Sequence, residues 1–171
     1  MILVQYQRYH VPKYHQWMQS EELQYLTNSE PLTLEEEYLM FETWMEDSNK
    51  CTFIVLDRAR FESIPDNVSM EEREIESMIG DVNFYIHNRQ EDGDHRNSEP
   101  LCAEIEIMIA ERAARGKGFG REAALTMMQF AHTEIGVDKF EAKIKISNHV
   151  SQHLFTNYFA FREISRSEVN L

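Results

Sequence analysis

Cysteine is scarce in this sequence, and long apolar runs are absent from it. The two cysteines, Cys51 and Cys102, lack the spacing of a disulfide framework or a metal site, which favours a reducing compartment. No apolar run approaches the length that spans a membrane, and the first residues lack the apolar segment of a signal peptide. These shortages predict a location in the cytoplasm or nucleus.

Positive charge is also scarce. The chain has 17 lysine and arginine residues against 30 aspartate and glutamate residues, a net charge of −13 at pH 7. This charge argues against nucleic acid or an anionic membrane as a partner and favours a cationic ligand, such as an amine or a basic peptide. For most individual carboxylates, solubility alone is a sufficient explanation. A hydrophobic fraction of 42% over 171 residues predicts one globular domain.

Hydrophobic patterning predicts a mixed α/β single domain over residues 1–171. Strands are expected over residues 2–5, 52–56, 78–86, 104–109, 140–146 and 161–164. Helices are expected over residues 11–18, from Thr33 through Trp44, after residues 115–120, and from Asn148 through Phe155. Thr33 and Glu36 have the spacing of a capping box. Residues 57–77 and 88–100 are polar and are expected to form loops, and the chemistry is expected near the C-terminal part of the sheet.

A glycine-rich segment, Arg-Gly-Lys-Gly-Phe-Gly over residues 115–120, separates a predicted strand from a predicted helix. Such an arrangement aims backbone N–H groups at an anion. It is not a Walker loop, because Gly118 stands where that loop needs serine or threonine, and Arg121 breaks the dinucleotide fingerprint. What remains is Arg-x-x-Gly-x-Gly with added positive charge from Arg115, Lys117 and Arg121. A turn that simply starts a helix is the alternative.

The motif of Arg115, Gly118 and Gly120 resembles the pyrophosphate-binding signature of the GNAT acetyltransferases, which hold acetyl-CoA. Three further segments resemble the third strand, the fourth strand and the start of the last helix of that family: residues 79–83, residues 103–110, and Asn148 with Ser151. The resemblance covers nearly the whole chain. It implies a GNAT fold with a mixed central sheet flanked by helices and a short C-terminal strand pair.

Four other stretches resemble a narrower group, the eukaryotic N-acetyltransferase nine-like proteins, described as α/β-tubulin N-acetyltransferases. They are residues 20–23, 29–35, 50–57 and 139–144. The resemblance implies an acetyl-CoA-dependent N-acetyltransferase that acts on a protein amine, with tubulin as a candidate. Two alternatives stay open: a CoA-binding or microtubule-binding module with weak or no catalysis, and an acetyltransferase of small-molecule amines.

The resemblance also implies a cofactor-binding set. Backbone N–H groups of the glycine loop would hold the CoA pyrophosphate, the preceding strand edge would pair with the pantetheine arm, and the last helix would lie near the thioester. The implied residues are Met108, Ile109, Ala110, Arg115, Gly116, Lys117, Gly118, Phe119, Gly120, Arg121, Asn148 and Ser151. For Asn148, a simple helix cap is an equally good explanation.

Acetyl transfer to an amine needs a group that accepts the ammonium proton. Glu104 and Glu106 point to one face of their predicted strand, so either could serve, and two solvated carboxylates are the alternative. The resemblance favours Glu104. Many members of the family carry a tyrosine that protonates the departing thiolate, but the matching residue here is Phe155. Tyr158 is expected to share its helix face and is the substitute candidate, with water as the other proton source.

The spacing near the C-terminus departs from the family pattern. Phe155 and Phe161 are one residue further apart than is usual, and the C-terminal strand pair is expected to be short. The acceptor site could therefore be altered. The seven histidines are not expected to bind metal, because His149 and His153 have no third ligand in a known motif.

Overall fold

The computed structural model describes residues 1–87 and 100–166 and places five strands in one sheet. The strands are β1 (Ile2–Gln5), β2 (Lys50–Leu56), β3 (Met78–Ile86), β4 (Cys102–Ile109) and β5 (Lys139–Glu141). They lie side by side in chain order. The first four pair in an antiparallel manner, and β5 pairs with β4 in a parallel manner. The predicted mixed sheet is therefore confirmed.

Helices cover both faces of this sheet. They are α1 (Val11–Met18), α2 (Glu21–Thr27), α3 (Leu34–Glu46), α4 (Arg58–Ser63), α5 (Met70–Ser77), α6 (Phe119–Phe130) and α7 (His149–His153). One hydrophobic cluster joins the sheet to α1, α2 and α3, and a second joins the opposite face to α6 and the chain after α7. No helix in the described ranges has the length and apolar character needed to cross a lipid bilayer.

The alternation of side chains along β3 and β4 decides which face carries the polar residues. Val82 and Ile105 pack in the α6 cluster, whereas Met108 packs in the cluster with α1 to α3. Successive residues of a strand point to opposite faces, so Glu104 and Glu106 share the face of Met108. The sequence-based expectation that these two carboxylates share one face is confirmed.

Several strands and helices have the bounds that the sequence predicted, because the sequence patterns that specify them are local. The strands at residues 2–5 and 78–86 and the helix at residues 11–18 are confirmed. The capping box is also confirmed, because Glu36 N donates to Thr33 Oγ1 at 3.3 Å and Thr33 N donates to Glu36 Oε2 at 2.8 Å. Such reciprocal bonds satisfy N–H groups that the first helical turn leaves free.

Residues 57–77 do not form the predicted loop, because most of them are in α4 and α5. Each helix has a side-chain cap: Asp57 Oδ1 accepts from Ala59 N at 3.0 Å, and Ser69 Oγ accepts from Glu72 N at 3.2 Å. Because the segment is rich in charged residues, it resembled an exposed loop, and the two caps were not recognised from the sequence. Helix α2 was also not predicted. Of the other predicted loop, residues 88–99 lie outside the described residues.

The C-terminal part of the sheet is smaller than predicted. The strand expected over residues 140–146 is reduced to β5, and residues 161–164 form no strand. Phe161 instead folds back, with its N–H donating to Phe155 O at 2.9 Å and its ring 5.0 Å from the Phe155 ring. Through this aromatic contact, Phe161 packs against the hydrophobic core. The predicted C-terminal strand pair is therefore absent from the described residues.

Candidate active site

The strands β4 and β5 pair over a short distance and then separate. Their parallel register runs from Cys102 opposite Lys139 to Glu104 opposite Glu141, where β5 ends. Strand β4 continues to Ile109. Over residues 105–109, the edge of β4 that faces away from β3 has no neighbouring strand in the described chain. An unpaired strand edge can hydrogen-bond an extended ligand through main-chain groups.

The glycine loop lies at the far end of this open edge. Gly116 and Gly118 have φ angles of 73° and 88°, which residues with a side chain rarely adopt. Apart from the chain neighbours of each glycine, no atom of the described residues lies within 4 Å of the position that a Cβ would take at either glycine. The glycines are therefore needed for backbone conformation, and the space over the loop is free for a ligand.

Backbone N–H groups cluster at this loop. Within residues 1–87 and 100–166, the N–H groups of residues 116–121 donate to no acceptor. The Arg115 N–H, by contrast, donates to Arg112 O at 3.2 Å, so the N–H array begins one residue later than predicted. Gly118 caps α6, and the positive end of the helix dipole adds to the attraction for an anion. Free N–H groups at the start of a helix can bind an anion such as a phosphate group.

The Arg115 guanidinium fixes the loop rather than facing the open space. Its Nε donates to Ile109 O at 2.8 Å, and its Nη2 donates to Ala110 O at 3.2 Å. Its Nη1 donates to Glu22 Oε1 at 2.6 Å, and Arg112 donates to the second oxygen of Glu22. Arg112 and Arg115 together hold the pKa of Glu22 below its usual range. Sequence reasoning missed Glu22, which lies far from the motif along the chain.

Glu104 lies where β4 and β5 separate, and it is only 9% exposed. Its Oε2 accepts from Lys143 Nζ at 2.9 Å and lies 3.3 Å from His87 Nε2. Glu104 raises the pKa of the Lys143 ammonium. A carboxylate that already holds an ammonium has the geometry to receive the ammonium of an acceptor.

Glu106 belongs to a second polar group on the same face of the sheet. Lys50 Nζ lies 3.4 Å from Glu106 Oε2 and donates to Asn83 Oδ1 at 2.6 Å. Asn83 Nδ2 in turn donates to Asp81 Oδ2 at 3.2 Å. Burial raises the pKa of Asp81 to about 7. Sequence reasoning assigned no role to Lys50 or Asp81, although polar residues that alternate along an apolar strand were a usable signal.

Asn148 caps α7, because its Oδ1 accepts from Ser151 N at 3.1 Å. This bond confirms that Asn148 is a helix cap, which was one of the two explanations that the sequence left open. A further role for Asn148 and Ser151 near a thioester stays a prediction.

Tyr158 does not share the face of Phe155, contrary to expectation. Phe155 is 3% exposed in the core, whereas Tyr158 is 57% exposed, with the Arg121 guanidinium 5.0 Å from its ring centre. The physical reason is a π-helical turn over Leu154–Tyr158, whose wider winding changes the direction of the third residue after Phe155. A role for Tyr158 in proton transfer stays a prediction.

Comparison with known proteins identifies the family of this chain. The family described as acetyltransferase (GNAT) domain matches residues 1–158. The chain belongs to the GNAT acetyltransferases. It is 49% identical over 171 residues to the alpha/beta-tubulin-N-acetyltransferase 9 of Drosophila melanogaster, covering 99% of this chain and 78% of the relative. It is 44% identical over 170 residues to the human protein of the same name, covering 99% and 75%.

Solved structures share the GNAT fold. A domain from Methanocaldococcus jannaschii superposes with a TM-score of 0.69 at 23% identity, covering 99% of this chain and 92% of that one. The spermidine N-acetyltransferase of Vibrio cholerae, solved with CoA and spermine, gives a TM-score of 0.68 at 18% identity, covering 91% and 78%. GNAT acetyltransferases take their acetyl group from acetyl-CoA, and the open strand edge and the free N–H array of this chain are consistent with that family property.

Proposed function

We propose that this GNAT acetyltransferase uses acetyl-CoA to acetylate an amine of a protein. The observation that carries the proposal is the Glu104 carboxylate, which binds an ammonium at the point where β4 and β5 separate. An acceptor amine enters as an ammonium at neutral pH and must lose a proton before it can attack. In this proposal, Glu104 takes that proton.

The cofactor is proposed to bind along the open edge of β4. The N–H groups of residues 116–121 would hold the pyrophosphate, with Lys117 and Arg121 adding positive charge, and residues 108–110 would align the pantetheine arm. Bound acetyl-CoA supplies an activated acetyl thioester. Arg115 keeps the loop against the strand end through the Ile109 and Ala110 carbonyls.

The proton for the departing thiolate has two proposed sources. Tyr158 would have to act from the side of α6, where its ring contacts Arg121. Water is the other source. The variant Tyr158→Phe separates them, because loss of an essential phenol lowers kcat by about ten-fold or more and leaves cofactor affinity unchanged. An unchanged kcat assigns the role to water.

The acceptor is proposed to approach past α2. A surface cavity of about 470 Å³ is lined there by Glu21, Gln24, Tyr25, Asn28, Ser29, Glu30 and Lys145. Its two acidic residues suit a basic peptide better than an acidic one. Because two relatives are named as tubulin N-acetyltransferases, tubulin is the first acceptor to test.

The cofactor site is tested by calorimetry with acetyl-CoA. We expect Gly118→Trp to weaken binding at least ten-fold, because an indole over the loop prevents close approach of the backbone. Gly136→Trp is the matched control, since Gly136 also has a positive φ, 84°, and its Cβ position is likewise open among the described residues beyond its chain neighbours. Equal affinities for a folded Gly118→Trp protein and the wild type would contradict the assignment.

The proposed role of Glu104 as the base is tested by measuring kcat with acetyl-CoA and purified tubulin. We expect Glu104→Gln to lower kcat by about 100-fold or more, which is the usual scale of general-base catalysis. Glu106→Gln is the control, because Glu106 shares the strand face but has a more exposed side chain than Glu104. If both variants keep wild-type rates between pH 6 and pH 8, neither carboxylate is the base. If the wild type binds acetyl-CoA but acetylates no protein or peptide, a binding module without catalysis becomes the better description.

A further inference from the structure

Lys143 is a surface lysine whose amine contacts the carboxylate of Glu104. It follows the end of β5 by two residues, and its side chain is 67% exposed. The chain nevertheless directs its Nζ back to Glu104 Oε2, at 2.9 Å. A flexible primary amine thus already sits on the carboxylate that is proposed to deprotonate the acceptor.

The chemistry of this contact is that of an acceptor. The side chain of Lys143 is a primary amine, held as an ammonium against Glu104. The open edge of β4 begins at the next residue, Ile105. On the basis of the proposed function, we propose that Lys143 is an internal acceptor, which the enzyme acetylates at Nζ when acetyl-CoA is bound and no external amine occupies the site.

The reaction balances without a further reactant. The Lys143 ammonium gives one proton to Glu104, and the neutral Nζ attacks the thioester carbonyl. The bond between the carbonyl carbon and the sulfur breaks as the bond between that carbon and Nζ forms. The thiolate leaves and takes up the second proton that Nζ loses, directly or through water, which gives CoA and an acetylated lysine, and Glu104 then releases the first proton to water. The product lacks a positive charge, so Glu104 loses its 2.9 Å ammonium partner.

Other lysines of this region have different partners. Lys145 Nζ lies 4.1 Å from the ring centre of Tyr25, and Lys139 pairs with Glu141. Lys50 Nζ donates to Asn83 Oδ1 and pairs with Glu106, and the Lys50 side chain is only 12% exposed. Lys145 is therefore a useful internal reference, because it is two residues away in the same segment without a contact to Glu104.

The test is incubation of the purified chain with acetyl-CoA, followed by peptide mass spectrometry at successive times. We expect acetylation of Lys143 at least ten-fold faster than that of Lys145, with a rate per molecule independent of protein concentration. Gly118→Trp and Glu104→Gln should each reduce the Lys143 rate to that of Lys145. Equal rates at the two lysines, or a Lys143 rate that neither variant changes, would overturn the proposal by showing simple chemical acetylation.

A second measurement in the same reaction separates this proposal from the proposed function. A library of peptides with free amino termini is added, and their acetylation is measured together with that of Lys143. We expect the peptides to be acetylated and the Lys143 rate to fall at least three-fold through competition. Acetylated peptides with unmodified Lys143 in all samples would overturn the internal acceptor alone. Acetylation of neither would overturn both proposals.

Discussion

Burial raises the pKa of the Asp81 carboxyl to about 7 from an ordinary value of 3.8. Its Oδ1 is buried without a hydrogen-bond partner in the described chain, so no donor compensates the charged form on that side. The folded protein therefore holds this proton more tightly than the unfolded chain does. The stability that the neutral carboxyl contributes is complete below about pH 4 and is lost as the pH rises through about 7.

We expect Asp81→Asn to reduce this pH dependence, because an amide does not ionise. Between pH 5 and pH 8, the wild type should lose about 2 kcal/mol more of its unfolding free energy than the variant. Urea unfolding at the two pH values measures the difference. Asp138→Asn is the control, since Asp138 is an exposed aspartate. Parallel pH curves for wild type and Asp81→Asn would show that Asp81 is already charged at pH 5 in the folded protein.

Among the elements, β4, the glycine loop and α2 are joined by one side chain. Arg115 donates to the carbonyls of Ile109, the last residue of β4, and of Ala110, and it also donates to a carboxylate of α2, so its planar guanidinium fixes three segments at once. Lysine carries the same charge but lacks this fork of donors. The arginine of the motif therefore acts on the position of the loop, while the backbone of residues 116–121 faces the open space.

We expect Arg115→Lys to lower the unfolding free energy by about 1–3 kcal/mol, because hydrogen bonds to charged groups are lost. The affinity for acetyl-CoA should fall several-fold as the loop loses its support. Arg112→Lys is the matched control, because Arg112 binds the same Glu22 but has a largely exposed side chain. Denaturant unfolding and calorimetry measure the two effects. Equal losses in both variants would mean that Arg115 contributes only its charge.

At the scale of the whole molecule, the proposed cofactor path runs along β4 and ends at the start of α6. These elements belong to the central sheet and to the larger hydrophobic cluster. A ligand bound there contacts only the folded state, so it stabilises the entire domain rather than one loop.

We expect acetyl-CoA at one hundred times its Kd to raise the unfolding free energy by about 2.7 kcal/mol, and Tm should rise with ligand concentration. Thermal unfolding over a concentration series measures the effect. Gly136→Trp should keep the shift, and Gly118→Trp at the same acetyl-CoA concentration should reduce it to about 1.4 kcal/mol or less, because its affinity is at least ten-fold weaker. A shift of equal size in both variants would place the ligand away from the glycine loop.

Local patterns in the sequence determined much of this protein. Alternating residues specify β3, Thr33 and Glu36 specify the start of α3, and the glycines predict a loop with free N–H groups. Each of these signals lies within a few residues of the chain. The same locality explains why the two faces of β4 were predicted correctly, since a strand alternates with a period of two.

Only the tertiary structure decided which distant residues meet. The bonds of Arg115 to Glu22, of Lys143 to Glu104 and of Lys50 to Asn83 each join residues that are far apart along the chain, and no local periodicity encodes them. The burial of Asp81 likewise depends on helices packed over the sheet, and the direction of Tyr158 depends on a π-helical turn. The sequence by itself therefore determined the elements with strong local signals, such as β3 and the start of α3, and the glycine loop, whereas packing decided the charge partners, because electrostatic contacts depend on distance in space.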